Sequence, residues 1–260
     1  MKKQCINLCD INLIVKLLML SILLMFLSCS NVSDCTKSSG ELTTRIYDDF
    51  IFDKILVFKG INLRIIQSSN YRIEVQAGVN LIDDISVTVV NGQLQLRDNT
   101  TCNWVRDYGE TVITIFTPTL SEIYSKTEGS ITGVGVLTYP SLKLLTLDNY
   151  DGLGGAGTGD FEMKLNCENL DIESNHVANY NITGKASKLN IVVYEGNGKI
   201  NTTGLTAQKV SIFHRGSNDI SVYAATSLSG NIYNIGNVYC KSRPTTVNVI
   251  EHFRGKLIYY

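Results

Sequence analysis

Apolar and polar residues alternate along most of the chain after residue 50, which is typical of strands with one buried face. Residues 72–77 read Arg-Ile-Glu-Val-Gln-Ala, and residues 85–89, 94–96 and 112–116 continue the alternation. Asn91-Gly92 separates two of these runs, and both residue types tolerate a positive φ, so a hairpin turn is predicted there. No later stretch shows helical periodicity. The pattern therefore predicts an all-β domain with almost no helix.

The second half of the chain repeats one unit. Copies begin at Leu170, Leu189, Val210 and Val247, so the period is close to 19 residues, with two periods before the last copy. Each copy has an alternating strand, a corner rich in Gly and Asn, and a second short strand. One such pair cannot bury its own apolar face, but stacked copies can. This favours a parallel β-helix, a solenoid of roughly 19-residue coils, over the alternative of an antiparallel β-sandwich.

The N-terminus has a different pattern. Lysines precede an apolar run from Leu17 to Leu27, which is too short to span a bilayer as a helix but suits the core of a secretory signal peptide. Ser28-Cys29 follows this run directly and resembles a bacterial lipobox, in which the Cys is acylated and becomes the first mature residue. An uncleaved anchor and an ordinary signal peptide, with Cys29 unmodified, are the alternatives.

Three segments are predicted from these patterns. Residues 1–28 form a lipoprotein signal peptide, residues 29–48 a polar, flexible tether, and residues 49–260 a β-helical domain with less regular strands at 49–118 and repeat coils at 119–260. The whole chain has 23 Lys and Arg against 24 Asp and Glu, which gives no basic excess for binding nucleic acid. Membrane attachment would depend on the lipid at Cys29.

Four cysteines remain after the signal peptide and Cys29 are set aside: Cys35, Cys102, Cys167 and Cys240. An exported protein meets an oxidising compartment, so disulfides among them are one interpretation, with the pairing open. Small buried thiols are the other interpretation. The wide spacings match no zinc motif.

The three histidines lie at equal spacing, and Glu195 and Tyr233 fall between them. In a solenoid of constant coil length these side chains would stack in one column, and His176, Glu195 and His214 could converge on a metal ion. The competing interpretation, which we favour, is a polar surface column with no metal or other cofactor.

Carboxylates also cluster in the middle of the chain, at Asp148, Asp151, Asp160, Glu162, Asp171 and Glu173. They suit acid-base work on a polysaccharide, but several alternate with apolar residues as on an exposed strand face. No nucleophile or nucleotide motif accompanies them, so we do not predict an enzyme. Tyr194, Tyr223 and Tyr233 are candidates for a strip that binds sugar or protein, since tyrosine offers an apolar ring and a polar tip.

A family resemblance covers roughly residues 50–260. It is carried by Phe-Asp-Lys-Ile at 52–55, Gly-Ile-Asn-Leu at 60–63, and repeated corners at 159–161, 198–200, 217–220 and 255–258. In this order the motifs resemble the head-domain GIN family of auto-transporter adhesins. The resemblance implies a right-handed β-helical fold, secretion by Gram-negative bacteria and no established catalytic site.

These observations predict a lipid-anchored protein of the outer membrane, on its periplasmic or outer side, that acts as an adhesin for a glycan or protein ligand. A structural role in assembling the cell envelope is the alternative, and a polysaccharide-active enzyme ranks below both. The oligomeric state and the ligand stay open at this stage.

Overall fold

The computed structural model describes Lys16, Gly155 and residues 38–100, 111–148 and 157–260. The described residues 39–99, 111–148 and 157–260 lie in one compact unit, the larger of two. Within the described part of the chain, no helix has the length and apolar character needed to cross a membrane. Apart from Lys16, the predicted signal peptide lies outside the described residues, and so does Cys29.

Strands dominate the larger unit. They are β1 (Leu42–Tyr47), β2 (Lys54–Phe58), β3 (Ile61–Gln67), β4 (Arg72–Gly78), β5 (Ile85–Val90), β6 (Gln93–Asp98), β7 (Thr111–Thr117), β8 (Glu122–Lys126), β9 (Ile131–Leu137), β10 (Ser141–Thr146), β11 (Phe161–Ser174), β12 (Tyr180–Val193), β13 (Ile200–His214), β14 (Ile220–Ile232), β15 (Val238–Cys240), β16 (Thr246–Glu251) and β17 (Leu257–Tyr259). One 3-10 turn, Ile82–Asp84, lies between β4 and β5. The all-β prediction with almost no helix is confirmed.

The strands belong to one mixed sheet, and this overturns the predicted topology. β4 runs antiparallel to both β1 and β7, and β5 runs antiparallel to β6, whereas the remaining pairs are parallel. The prediction of a right-handed parallel β-helix, a solenoid of roughly 19-residue coils, is therefore wrong. The physical reason lies in the N-terminal strands, which do not repeat the two-strand unit and are joined by reversals too short for a parallel return.

The Asn91-Gly92 turn shows how such a reversal is made. Asn91 has a φ of 51° and Gly92 a φ of 77°, the left-handed region that a tight hairpin requires. β5 and β6 pair antiparallel on its two sides. The hairpin predicted from the sequence is confirmed.

The ordered unit also begins earlier than the sequence predicted. β1 occupies the last part of the proposed tether and pairs with β4 over all six of its residues, from Leu42 with Gly78 to Tyr47 with Ile73. Arg45 on this strand donates to the backbone carbonyl of Ile82. The polar composition of the segment hid the alternation of Leu42-Thr-Thr-Arg-Ile-Tyr47.

The repeat segments form the four long strands β11 to β14, which pair in parallel. Leu170 pairs with Leu189, Leu189 with Val210, and Val210 with Leu228, and all four side chains are buried. Burying an aliphatic side chain of this size contributes about 1.5–3 kcal/mol. Because each residue of this row contacts its neighbours in the strands on both sides, the core is continuous across the repeats.

The corners are joined by a row of side-chain hydrogen bonds. The backbone N–H of Asn179 donates to Asp160 Oδ1 at 3.2 Å, and that of Lys199 donates to Asn179 Oδ1 at 3.1 Å. The same link recurs further along, where the N–H of Asn237 donates to Asp219 Oδ1 at 2.9 Å. A short Asp or Asn at each corner thus satisfies an amide of the next repeat.

Gly184 marks a close approach between two long strands. Its φ is +113°, and a Cβ at this position would lie 1.9 Å from the carbonyl oxygen of Leu165 on β11. Gly135 on β9 also has a positive φ, +78°, but a Cβ there meets no atom within 4 Å. A side chain at Gly135 would therefore meet only backbone strain, whereas one at Gly184 would meet both backbone strain and a steric clash.

We expect Gly184→Ala to lower the midpoint of urea unfolding much more than Gly135→Ala does. Both substitutions place a side chain at positive φ, which costs about 1–2 kcal/mol. Only the first also drives a methyl group into a backbone carbonyl, which should add about 1–3 kcal/mol. Equal losses for the two variants would show that β11 and β12 can move apart without cost.

Candidate binding face

The long strands β11 to β14, together with β16, expose one continuous face. It consists of their outward side chains and of the single residues that directly follow β12, β13, β14 and β16. We call this surface the binding face. Its residues lie in four rows across the strands, each row one residue per strand: Asn169, Lys188, Lys209 and Ser227; Asp171, Asn190, Ser211, Ser229 and Asn248; Glu173, Val192, Phe213, Asn231 and Ile250; and Tyr194, Arg215, Tyr233 and His252.

The first two rows are almost entirely amides, hydroxyls and charged groups. They line a shallow groove of about 390 Å³ whose floor is formed by Leu170, Leu189 and Val210. Within the groove, Asn190 Nδ2 donates to Asp171 Oδ1 at 3.1 Å. Such rows place donors and acceptors at the spacing between strands, about 4.8 Å.

Four rings from the last two rows pack side by side next to the polar rows. They belong to Tyr194, Phe213, Tyr233 and His252, and we call this set the aromatic row. Ring centroids lie 6.1 Å apart from Tyr194 to Phe213, 5.2 Å from Phe213 to Tyr233, and 4.2 Å from Tyr233 to His252. The last two rings are stacked, with an angle of 7° between their planes. Tyr194 is 42% and Tyr233 39% exposed, so both present ring surface to solvent.

Polar contacts hold the aromatic row in place. The Tyr194 hydroxyl donates to Glu173 Oε2 at 3.1 Å, and Glu173 Oε1 accepts from Lys143 Nζ at 2.6 Å. The hydrogen bond with Glu173 raises the pKa of Lys143. His252 Nε2 lies 2.9 Å from Asn231 Oδ1. Fixed rings lose little conformational freedom when a ligand packs on them.

Sequence reasoning identified only part of this row. Tyr194 and Tyr233 were candidates and lie in it. Tyr223 was a candidate too, but it pairs with Thr206 in the first half of β14, away from the row, and is half-buried. Phe213 was missed, although its outward position between buried Ile212 and His214 follows from the alternation. His252 was predicted in one column with Tyr233, and the two rings are stacked.

The structure does not bring the metal candidates together. His176 lies beside Asp148, with Nε2 2.9 Å from the carboxylate Oδ2, and Glu195 is exposed. His214 instead points inward, paired with Val193 and Ile232. Among the residues that the structure describes, no three His, Cys, Asp or Glu side chains are grouped as metal ligands.

Register drift between the repeats explains this separation. Leu189 pairs with Val210, 21 residues later, whereas Val210 pairs with Leu228, only 18 residues later. Pairing is irregular between Asn181 and Thr183 and again between Thr202 and Thr206. Equal spacing in the sequence therefore does not mean equal position on the strands. His214 lies level with Val193, two residues before Glu195, and shares the inward orientation of that position.

The buried imidazole of His214 is chemically unusual. The side chain is 1% exposed, and neither ring nitrogen has a hydrogen-bond partner of good geometry among the described residues. Burial lowers its pKa, and the nearby Asn218 carbonyl and Asp219 carboxylate oppose that shift only in part. Gly236 makes room for the ring, since a Cβ there would lie 2.4 Å from Nε2.

The candidate carboxylates are engaged in structural contacts. Asp160 accepts from Asn179 in the corner row, and Asp171 and Glu173 accept hydrogen bonds on the binding face. Glu162 lines a smaller groove of about 270 Å³ together with Lys164. Asp151 lies outside the described residues.

Two of the four remaining cysteines lie in the larger unit, and both are free thiols. Cys167 is half-buried and Cys240 is buried. Burial raises the pKa of Cys167 to about 11, which makes its thiol a poor nucleophile at neutral pH. Cys35 and Cys102 lie outside the described residues.

We expect His214→Leu to raise the free energy of unfolding near neutral pH by about 1–2 kcal/mol, because it removes buried ring nitrogens without partners. The folded pKa of His214 lies below the unfolded value of about 6.5, so the unfolded chain binds the proton first. The wild type should therefore lose stability as the pH falls below about 6.5, and the variant should lose less.

Urea unfolding at about pH 7.5 and about pH 5.5 measures this difference, because the histidine charge changes in that interval. His252→Leu, at an exposed position, is the matched control and should keep the wild-type pH dependence. The same pH dependence in His214→Leu and in the wild type would contradict the assignment.

Three comparisons place the chain among known proteins. The family model described as "Putative auto-transporter adhesin, head GIN domain" matches residues 51–244. No curated protein matches the chain significantly. A crystal structure described as a putative adhesin from Bacteroides fragilis NCTC 9343 superposes with a TM-score of 0.74 at 24% identity, over 85% of this chain and 98% of the other.

Two further crystal structures share the fold at lower identity. One, described as a putative adhesin from Parabacteroides merdae ATCC 43184, has a TM-score of 0.59 at 16% identity over 85% of this chain and 97% of the other. The other, described as a putative lipid binding protein from Parabacteroides distasonis ATCC 8503, has a TM-score of 0.60 at 19% identity over 84% and 97%. Because the family model covers most of the chain, the protein belongs to the head GIN domain family of auto-transporter adhesins.

Proposed function

We propose that this protein is a cell-envelope adhesin that binds a glycan across the binding face. The observation that carries the proposal is the aromatic row beside rows of amides and hydroxyls on rigid strands. Sugar rings have an apolar face that packs on an aromatic ring and a rim of hydroxyls that needs hydrogen-bond partners. The binding face offers both surfaces side by side.

The geometry suits an extended polymer better than a small molecule. The grooves are shallow, and the rows run across several neighbouring strands rather than into a closed cavity. A polymer that follows a row would meet a similar set of groups at each strand. Many weak contacts of this kind give useful affinity together, and the rigid strands keep the ordering cost low.

The charged side chains on the binding face indicate which kind of glycan would bind. Lys188 and Lys209 stand at the edge of the larger groove, and Arg215 lies between Tyr194 and Tyr233 on the neighbouring strands. Only Asp171 and Glu173 oppose them on this face, so a glycan with some carboxylates would be accepted. One structural neighbour is described as lipid binding, but the polar lining of these grooves favours a sugar over an acyl chain.

We expect Tyr233→Ala to weaken glycan binding about tenfold or more, since losing a central aromatic contact commonly costs at least about 1–2 kcal/mol. Tyr223→Ala is the matched control, because Tyr223 lies away from the aromatic row. A glycan array with the detergent-solubilised full chain identifies the ligand, and titration calorimetry then compares the variants.

Equal losses for the two tyrosine variants would contradict the binding face as the site. Capture of a protein from an envelope extract, with no glycan bound, would overturn the glycan proposal. No capture from either source would favour the alternative of a structural component of the envelope.

We also propose that a lipid on Cys29 holds the protein in the outer membrane. Ser28-Cys29 directly after the apolar run supports this attachment. Each buried CH₂ of an acyl chain contributes about 0.8 kcal/mol, so two or more chains give a lasting anchor.

We expect Cys29→Ser to abolish metabolic labelling with a palmitate analogue and to release the protein from membranes or leave it unprocessed. Cys35→Ser, six residues further along, is the control and should label like the wild type. Retained label in Cys29→Ser would contradict lipid attachment at this residue.

A further inference from the structure

The strand pairings can be followed from one end of the sheet to the other along two routes. One route runs β5, β6, β2, β8, β10, then the second halves of β11 to β14, and ends at β16. The other runs β1, β4, β7, β3, β9, then the first halves of β11 to β14, and ends at β15 and β17. β1 and β5 therefore form one edge pair, the leading edge, and β16 and β17 the other, the trailing edge.

Core side chains are left uncovered at the trailing edge. The inward row Leu170, Leu189, Val210 and Leu228 is at most 2% exposed, but its last member, Val247 on β16, is 44% exposed. Ile250, Phe253 and Tyr260 are exposed beside it. Within the described residues, β16 pairs only with β14 and β17 only with β15.

One backbone amide at the trailing edge is hydrogen-bonded to a nearby side chain instead of to the next repeat. In earlier repeats the N–H of the first residue of each strand from β11 to β15 donates to a carbonyl of the next corner, as Val238 does to Lys256. At β17 the N–H of Leu257 donates instead to Glu251 Oε1 at 2.8 Å. This lowers the pKa of Glu251. The bond satisfies a corner, but no strand among the described residues pairs with the outer side of β16.

The leading edge is also open and apolar. β1 pairs only with β4 and β5 only with β6 among the described residues, and Leu42, Ile46 and Val90 are exposed on them. The two edges thus have the same construction: a pair of strands, one from each route, with unpaired backbone on the outer side and apolar side chains between.

The two edges carry opposite charge. Residues 38–49 and 81–90 of the leading edge contain five acidic residues and one basic one: Glu41, Asp48, Asp49, Asp83, Asp84 and Arg45. Residues 241–260 of the trailing edge contain four basic residues and one acidic one: Lys241, Arg243, Arg254, Lys256 and Glu251. Like edges would repel, whereas unlike edges attract.

We propose that copies of this protein associate head to tail, with the trailing edge of one copy docked on the leading edge of the next. β16 would extend the first route by pairing antiparallel with β5 of the neighbour, because β5 runs opposite to β6. β17 would pair parallel with the neighbour's β1. A contact between unlike edges does not close on itself, so it builds rows rather than a symmetric dimer.

Sedimentation of the detergent-solubilised full chain tests this association. We expect the weight-average mass to rise with protein concentration at low salt and to fall toward one copy at about 1 M salt, where the screening length is about 3 Å. A mass that stays at one copy at all concentrations, or a dimer that does not grow further, would overturn the proposal.

Two charge-reversal variants decide whether the edges meet directly. One changes the trailing edge, Lys241→Glu with Arg243→Glu, and the other changes the leading edge, Glu41→Lys with Asp48→Lys and Asp49→Lys, so that the net charge of each altered edge changes sign. Each variant alone should stay monomeric, because its two edges then share a sign. Mixed together they should assemble again, since each edge finds an opposite one.

The matched control is Lys164→Glu with Lys185→Glu, on the strands between the edges, which should associate like the wild type. Recovery on mixing also shows that both variants are folded. Association that survives either reversal alone, or that does not return in the mixture, would overturn head-to-tail docking. Glycan binding is measured separately and tests a different surface. A failure of head-to-tail association therefore does not contradict glycan binding, and a failure of glycan binding does not contradict the association.

Discussion

Each repeat of this protein leaves two things unfinished, an apolar strand face and a corner amide, and the next repeat supplies both. The inward residues of β11 are buried by those of β12, and Asp160 accepts the amide of Asn179 across the corner. Neither contact exists within one repeat. Stability is therefore shared between neighbours, and the rigid outer surface depends on that sharing.

Alternation along the strands lets the chain combine a polar, aromatic outer surface with an intact apolar core. Along each long strand, side chains alternate between the two faces, so the row that holds Phe213 is separated from the core by one residue. Substitutions on the outer row leave the inward row unchanged. A ligand surface on strands is also more precisely positioned than one on loops.

Alternation was sufficient to predict most of the strands and the Asn91-Gly92 hairpin, and the order of short motifs was sufficient to indicate the family. They were not sufficient to predict topology, because strand direction is set by connections and long-range pairing rather than by periodicity. β4 and β5 have the same alternating pattern as the parallel strands, yet they run antiparallel to their neighbours. The site shows the same limit. Two of the tyrosines could be placed, and His252 next to Tyr233 with them, but the changing register between repeats put His214 level with Val193 on an inward position and Phe213 beside Tyr233.

The separation of outward and inward positions has a consequence for the history of such proteins. Residues such as Tyr194 and Ser211 can be exchanged during evolution with little effect on folding, whereas Leu189 and Ile191 beneath them cannot. Members of the family can therefore diverge in what they recognise while keeping one scaffold. Structures of the same fold at 16–24% identity show that this scaffold tolerates extensive substitution.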